Sequence, residues 1–254
     1  MALFTDGSIS SIEDLRGHDT QLLDVASLEG IDVTKKLALA QEEIGIEVAA
    51  MLAALYPVGS FGSLGLPAAR IGNVVVTTPL KLWHVYRTLE MVYRDAVHSQ
   101  LNERYAGRRD EYREMARWAR ERVIESGLGM TGDPIPQAPV PAVQAATGGL
   151  ADGTYYVSTS WAGARNEEGA SSLPAKITVA GSSFSVSRGA APGNAVGWNV
   201  YVGTNPQALF LQNSAVIALS SGWVQPDTLA ASKLAGTGQA AEWMQATPRV
   251  LQRG

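Results

Sequence analysis

Residues 107–161 read GRRDEYREMARWARERVIES, then GLGMTGDPIPQAPVPAVQAATGG, then LADGTYYVSTSW. Three kinds of backbone succeed one another in this stretch. In the first segment, at ~100° per residue, Arg109, Arg113, Arg117 and Arg120 fall within roughly 80° of each other on a helical wheel. Asp110, Glu111, Glu114, Glu121 and Glu125 occupy the neighbouring arc, and Tyr105, Tyr112, Ala116, Ala119 and Val123 form a third, apolar face. The second segment carries Pro134, Pro136, Pro139 and Pro141 among Gly, Ala and Gln, which predicts an extended, semi-rigid connector and a domain boundary. In the third, Tyr155, Val157 and Thr159 alternate with Tyr156, Ser158 and Ser160, the period-2 signature of a strand.

Working outward, the charge follows the same division. Residues 1–126 hold 14 Lys+Arg against 18 Asp+Glu, whereas residues 127–254 hold 6 of each. The first half is charge-dense, as exposed helices are; the second is rich in Gly, Ser, Thr and Ala. The expected architecture is a multidomain α+β protein. A helical domain (1–126) is followed by a Pro/Gly-rich linker (127–150), a small immunoglobulin- or fibronectin III-like β-sandwich (151–226) and an extended C-terminal tail (227–254).

Upstream, Leu37, Ala40, Ile44, Val48, Met51 and Leu55 lie three and four apart, predicting a helix over 35–56 with Thr34 as N-cap. A shorter helix is expected over 21–28, closed by Gly30. Residues 57–73 read as a Gly/Pro loop, and the β-branched run Val74–Thr77 as a short strand. Thr78-Pro79 then opens a long helix, with Thr at the N-cap and Pro at the first position, interrupted near Gly107. Downstream, strands are expected over 175–179, 183–187, 197–203, 208–212 and 216–218, with turn residues between them. Trp161, Trp198 and Trp223 supply core bulk, or alternatively a sugar-stacking platform. In the tail, Trp243, Met244, Val250 and Leu251 are apolar enough either to pack back on the chain or to dock in a partner.

The chemistry-bearing residues form no constellation. With no cysteine in the chain, disulfides, thiolate metal sites and thiol nucleophiles are excluded. The histidines His18, His84 and His98 lack metal-ligand spacing; on one helix His84 and His98 stand ~21 Å apart. Gly127–Gly132 fits Gly-x-Gly-x-x-Gly, but a nucleotide fingerprint requires a strand before it and a helix after it. No run reaches the ~20 apolar residues that span a bilayer, and residues 1–11 lack the pattern of a secretory signal. No enzyme, cofactor, metal or membrane role is expected. The stripes over 109–125 fit a solvated helix with pairs such as Asp110–Arg113 and Arg117–Glu121. They also fit a helix that meets a neighbouring subunit head to tail, and less well a face for DNA phosphates, because this half is net acidic.

Two segments resemble the head–tail connector (adaptor, or head-completion) proteins of tailed bacteriophages. One runs from Asp24 through Ser27-Leu28-Glu29-Gly30 and Thr34-Lys35-Lys36-Leu37 to Ile44. The other runs from Val76-Thr77-Thr78-Pro79-Leu80 through Tyr93-Arg94-Asp95-Ala96 to Arg108-Arg109-Asp110-Glu111-Tyr112. The resemblance covers about residues 10–125. It implies a virion protein of the neck, assembled in the host cytoplasm as a homo-oligomeric ring, typically twelvefold, beneath the portal protein. Such a ring receives tail, stopper or nozzle proteins and helps retain packaged DNA, which passes its lumen without sequence-specific binding. On this reading Arg109, Arg113, Arg117, Arg120, Asp110, Glu114 and Glu121 are subunit-interface candidates, and Trp243, Met244, Val250 and Leu251 are portal-docking candidates. Tyr155-Tyr156-Val157 and Gly197-Trp198-Asn199-Val200-Tyr201-Val202-Gly203 resemble the fibronectin III-like modules of phage virion proteins. The appended module leaves open an alternative: a tail- or fibre-associated protein whose sandwich recognises a host cell-surface glycan.

Overall fold

The computed structural model describes residues 2–55, 70–99 and 103–247. The architecture is mixed α+β: helices first, then a mostly β region, with three antiparallel sheets among the described residues. The chain divides into two compact units, one of Gly7–Gly132 with the residues from Ala241 onward, the other of Asp133–Ala240 with the first six residues. The polypeptide therefore passes between the units three times.

The helical unit contains α1 (Ile12–His18), α2 (Leu22–Glu29), α3 (Val33–Leu55), α4 (Thr78–Ser99) and α5 (Ala106–Ser126). Its α1, absent from the sequence expectation, is nucleated by a capping box. Ser11 Oγ accepts from the Asp14 amide and the Asp14 carboxylate accepts from the Ser11 amide, satisfying two otherwise orphaned donors. The α2 helix ends as expected on Gly30, which adopts φ 65°. The cap of α3 is Asp32, whose Oδ1 accepts from the Lys35 amide at 3.1 Å. Thr34 lies inside the helix. A strand β1 (Val74–Val75) leads into α4, which begins at Thr78 itself, so that Pro79 is its second residue. Most of the loop expected over 57–73 lies outside the described residues, as does part of the break after α4. A 3₁₀ turn at Glu103–Tyr105 precedes α5, and Gly107 is in the first turn of α5, not between helices.

The centre of this unit is α4. Leu80, Trp83, Val85, Leu89, Val92 and Ala96 are all buried, the all-round burial expected of a helix enclosed by others. Its buried residues His84, Thr88, Glu90 and Tyr93 have polar partners. His84, fully buried, has Nδ1 2.7 Å from Ser10 Oγ and Nε2 3.0 Å from the Leu37 carbonyl. A carbonyl only accepts, so Nε2 carries the proton and Nδ1 accepts from Ser10. Burial pushes the imidazole pKa down, against the hydrogen bond to Leu37 and the Asp14 charge. Tyr93 and Tyr112, stacked at 5.6 Å, both donate to Oδ2 of the buried Asp19, at 2.5 and 3.0 Å. That carboxylate ties the α1–α2 turn to α4 and α5.

After α5 come β2 (Leu128–Met130) and then the strands of the other unit: β3 (Ala142–Ala146), β4 (Gly153–Gly163), β5 (Ala175–Val179), β6 (Ser183–Ser187), β7 (Ala195–Asn205), β8 (Ala208–Leu211), β9 (Ile217–Ala218) and β10 (Trp223–Val224). One sheet has the order β10-β6-β3; the other has the order β5-β4-β7-β8, with β9 pairing β7. Both contribute to a single core. Phe184 and Val186 of β6 meet Tyr155, Val157 and Trp161 of β4 and Trp198, Val200 and Val202 of β7. These are the alternating inward positions of the sequence pattern, and the expected strand runs appear within a residue or two of their bounds.

The 127–150 segment departs from expectation. It is not a free connector: β2 pairs with β1, β3 pairs with β6, and Ile135 and Ala138 between the prolines are buried. Proline keeps the backbone extended, and in this extended run the apolar residues between prolines are placed into a core. The unit boundary falls at Gly132/Asp133. The described residues of 227–254 pair with the chain, one of the two alternatives open for the tail. The Leu211 amide donates to the Lys233 carbonyl and the Ala235 amide to the Leu209 carbonyl. Beyond Ala240 the chain re-enters the helical unit as β11 (Trp243–Gln245), completing the sheet β1-β2-β11.

Candidate assembly interface

The charged stripes of α5 are present on the folded helix, and most of their members are ion-paired within the helical unit. Arg109 Nε donates to Asp110 Oδ1 at 2.8 Å, which holds the Asp110 carboxyl below its ordinary pKa. Arg117 pairs with Glu114 at 3.1 Å, one turn before it, and not with Glu121. Arg113 lies 3.4 Å from both Asp110 and Glu90, and Arg120 reaches Glu47 on α3 at 2.5 Å. Glu121 is exposed and has no ion-pair partner among the described residues. The exposed pairs are weak, being screened by solvent, and exchange readily for others.

The four arginines are not equivalent. Arg113, Arg117 and Arg120 form one wall of a cleft of about 400 Å³ between α3 and α5. Glu43 and Glu47 of α3 form the other wall. The floor is α4: Trp83, with Ile44 and Ala116 from the sides, all buried, and an Arg87–Glu90 pair at 2.6 Å. Arg87 also reaches Glu43 at 2.6 Å. Arg109 does not line the cleft. The sequence reading missed Glu43, Glu47, Arg87 and Glu90, because nothing in a single helical wheel says which other helix will stand opposite. It also passed over Trp118, 49% exposed on the acidic side of α5. A tryptophan in so polar a helix, with Arg122 four residues on and lying 6.0 Å over its ring, was the available signal.

Of the portal-docking candidates, Trp243 and Met244 lie in β11, at 40% and 46% exposure, paired to Met130 and Gly129. They are thus part of a sheet, with part of each side chain outside it. Val250 and Leu251 lie outside the described residues. The glycines of the formal Gly-x-Gly-x-x-Gly match serve this sheet. A Cβ on Gly127 (φ +85°) would stand 2.5 Å from the Gln245 carbonyl oxygen. One on Gly129 would stand 2.7 Å from Thr77 Cγ2 and 3.1 Å from Ala241 Cβ. The Gly132 amide donates to Glu242 at 3.0 Å.

In the β unit, Trp161 and Trp198 are 2% and 0% exposed and Trp223 packs against the same core. Trp161 and Trp198 cannot stack on a sugar. The outer face of the larger sheet instead carries Glu168, which accepts from Ser160 Oγ (2.5 Å), Asn199 Nδ2 (3.1 Å) and Tyr201 Oη on one oxygen, and from Lys233 Nζ (2.6 Å) on the other. Burial acts to raise this carboxyl, but the hydrogen bonds from Lys233, Ser160, Tyr201 and Asn199 outweigh it and hold it below the ordinary glutamate value. Among the described residues no group of three or more His, Asp or Glu side chains could hold a metal ion, and no helix is long and apolar enough to cross a membrane. Set against protein families, curated proteins and solved structures, the chain has no match.

Proposed function

We propose that the chain is a structural subunit of a tailed-phage neck, a head–tail connector that forms a ring beneath the portal protein and helps retain packaged DNA. The observation that carries this reading is α5, whose basic face opens onto a charged cleft while its acidic face is turned to solvent. A helix so divided suits repeated contact with like neighbours, because a heterologous contact joins two different patches and repeats into a ring or a filament.

The resemblance over residues 10–125 supports the connector role, and the strand order of the β unit supports the fibronectin III-like reading of the appended module. In immunoglobulin-type sandwiches one sheet runs A-B-E-D and the other C′-C-F-G. The order β5-β4-β7-β8 corresponds to C′-C-F-G, and β3-β6 to B-E. Among the described residues strand A has no counterpart, and β10 arrives from the C-terminal side at the place of D. The measurement is mass by light scattering, on the chain alone and after mixing with the portal ring. Addition of as many subunits as the portal contains is expected. A chain that leaves the portal mass unchanged refutes the connector reading.

A further inference from the structure

Two features of α5, an exposed indole and an arginine-lined cleft, are complementary to each other. Trp118 is half exposed, has Arg122 6.0 Å over its ring and stands at the edge of an acidic ridge formed by Asp110, Glu114, Glu121 and Glu125. The arginines of the cleft lie roughly 100–160° around the same helix. An indole on the surface is a large apolar area with a strong preference for burial, and tryptophan is among the residues that dominate binding energy when seated in a desolvated pocket. The cleft offers what an indole in an acidic setting requires. Its floor is apolar (Ile44, Trp83, Ala116), and around it four arginines (Arg87, Arg113, Arg117, Arg120) face three carboxylates (Glu43, Glu47, Glu90), which leaves the cleft one net positive charge. Guanidinium groups attract the ring face and the ridge carboxylates together. Its volume of about 400 Å³ is within the roughly 300–1,000 Å³ typical of ligand pockets.

Because ridge and cleft are on different sides of one helix, a subunit cannot bring its own Trp118 into its own cleft. We infer that the cleft between α3 and α5 receives Trp118 of a second copy of this chain, in a head-to-tail contact. The ridge carboxylates of the incoming copy replace the exposed intrahelical partners of Arg117 (60% exposed, with Glu114 65% exposed), an exchange between solvent-accessible pairs that costs little. This inference deepens the ring reading by naming the contact, and it is tested separately from portal binding.

The test uses the full chain with two substitutions, Trp118→Ser on the ridge and Arg117→Glu at the cleft, both at exposed positions, with helical circular dichroism to establish folding. Arg117→Ala replaces the charge reversal if the latter loses helix. Sedimentation equilibrium should show wild-type mass rising with concentration past that of a dimer. Each variant alone should associate at least ~30-fold more weakly, the scale of a tryptophan hot spot. An equimolar mixture should form a heterodimer and stop there, since each variant retains one intact half of the contact. The inference is overturned if the wild type stays monomeric, if Trp118→Ser associates like the wild type, or if the mixture gains no dimer. If self-association behaves as stated and the portal mass does not change, the connector reading alone fails. If Trp118→Ser adds to the portal as the wild type does and self-associates undiminished, the cleft contact alone fails.

Discussion

Replacing Glu168 by glutamine should destabilise the β unit by ~1.5–4 kcal/mol at neutral pH, and that cost should disappear in acid. One carboxylate oxygen accepts from Ser160, Asn199 and Tyr201, and the other from Lys233. A hydrogen bond to a charged group contributes ~1.5–3 kcal/mol against ~1 kcal/mol for a neutral one. Weakening three of them by ~0.5–1 kcal/mol each, and losing the Lys233 pair, gives the stated sum. Glutamine also has a single oxygen, so its amide must face either the Lys233 ammonium or the other donors. The folded-state carboxyl pKa lies below the ordinary value of 4.5. The carboxylate's contribution is therefore complete above about pH 4.5 and lost as the pH falls through the folded-state value. Urea unfolding followed by tryptophan fluorescence, on wild type and E168Q between pH 7 and 2.5, measures the difference directly. Lys233→Met should cost less than ~1 kcal/mol, because that side chain is 62% exposed and exposed pairs are weak. A penalty for E168Q that persists at pH 2.5, or a Lys233→Met penalty as large as that of E168Q, refutes the reasoning.

Three other perturbations separate the elements of the fold. Gly129→Ala places a Cβ against Thr77 and Ala241 and should loosen β11 while leaving the helices intact. Amide exchange at residues 243–245 should accelerate with helicity unchanged. Trp198→Ala, in the centre of the β core at 0% exposure, should cost ~3–5 kcal/mol, whereas Trp118→Ala should change monomer unfolding by less than ~0.5 kcal/mol; chemical denaturation of both compares a core tryptophan with a surface one. The pKa of His84 is depressed by burial, so the unfolded chain binds the extra proton first. Helical-unit stability should fall as the pH drops below about 6.5, the ordinary histidine value, and His84→Gln should remove that slope in thermal melts followed by circular dichroism.

The parts of the fold legible in the sequence are those set by local period. The inward positions Tyr155, Val157, Trp161, Trp198, Val200 and Val202 could be read from alternation, and α3, α4 and α5 from spacings of three and four. What was not legible depends on distant partners. Nothing near Gly127 and Gly129 signals that residues 241–245 will pass against them, so the glycines imitate a nucleotide fingerprint. Prolines 134 to 141 mark an extended backbone correctly, but extension alone does not distinguish a solvated linker from a segment whose Ile135 enters a core. The interface candidates illustrate the same limit. Their shared face was visible on a wheel, while the opposite wall of the cleft, Glu43 and Glu47, belongs to a helix more than sixty residues earlier.

The three crossings between units constrain how the C-terminal segment can be tested. Deleting residues 227–254 is the obvious way to ask whether Trp243 and Met244 dock on a portal, yet it removes more than a docking segment. Lys233 would leave Glu168 without its cationic partner, the Leu234 bridge to Phe210 would go, and β2 would lose β11 from its edge. A truncated chain that fails to bind a portal could have lost either the contact or the fold. Substituting Trp243→Ser and Met244→Ser preserves the backbone pairing of β11 with β2 and changes only side chains that are 40% and 46% exposed. Retained helicity with lost portal binding would then assign the docking role to these two residues. Undiminished binding would show that the strand serves the sheet and not the partner.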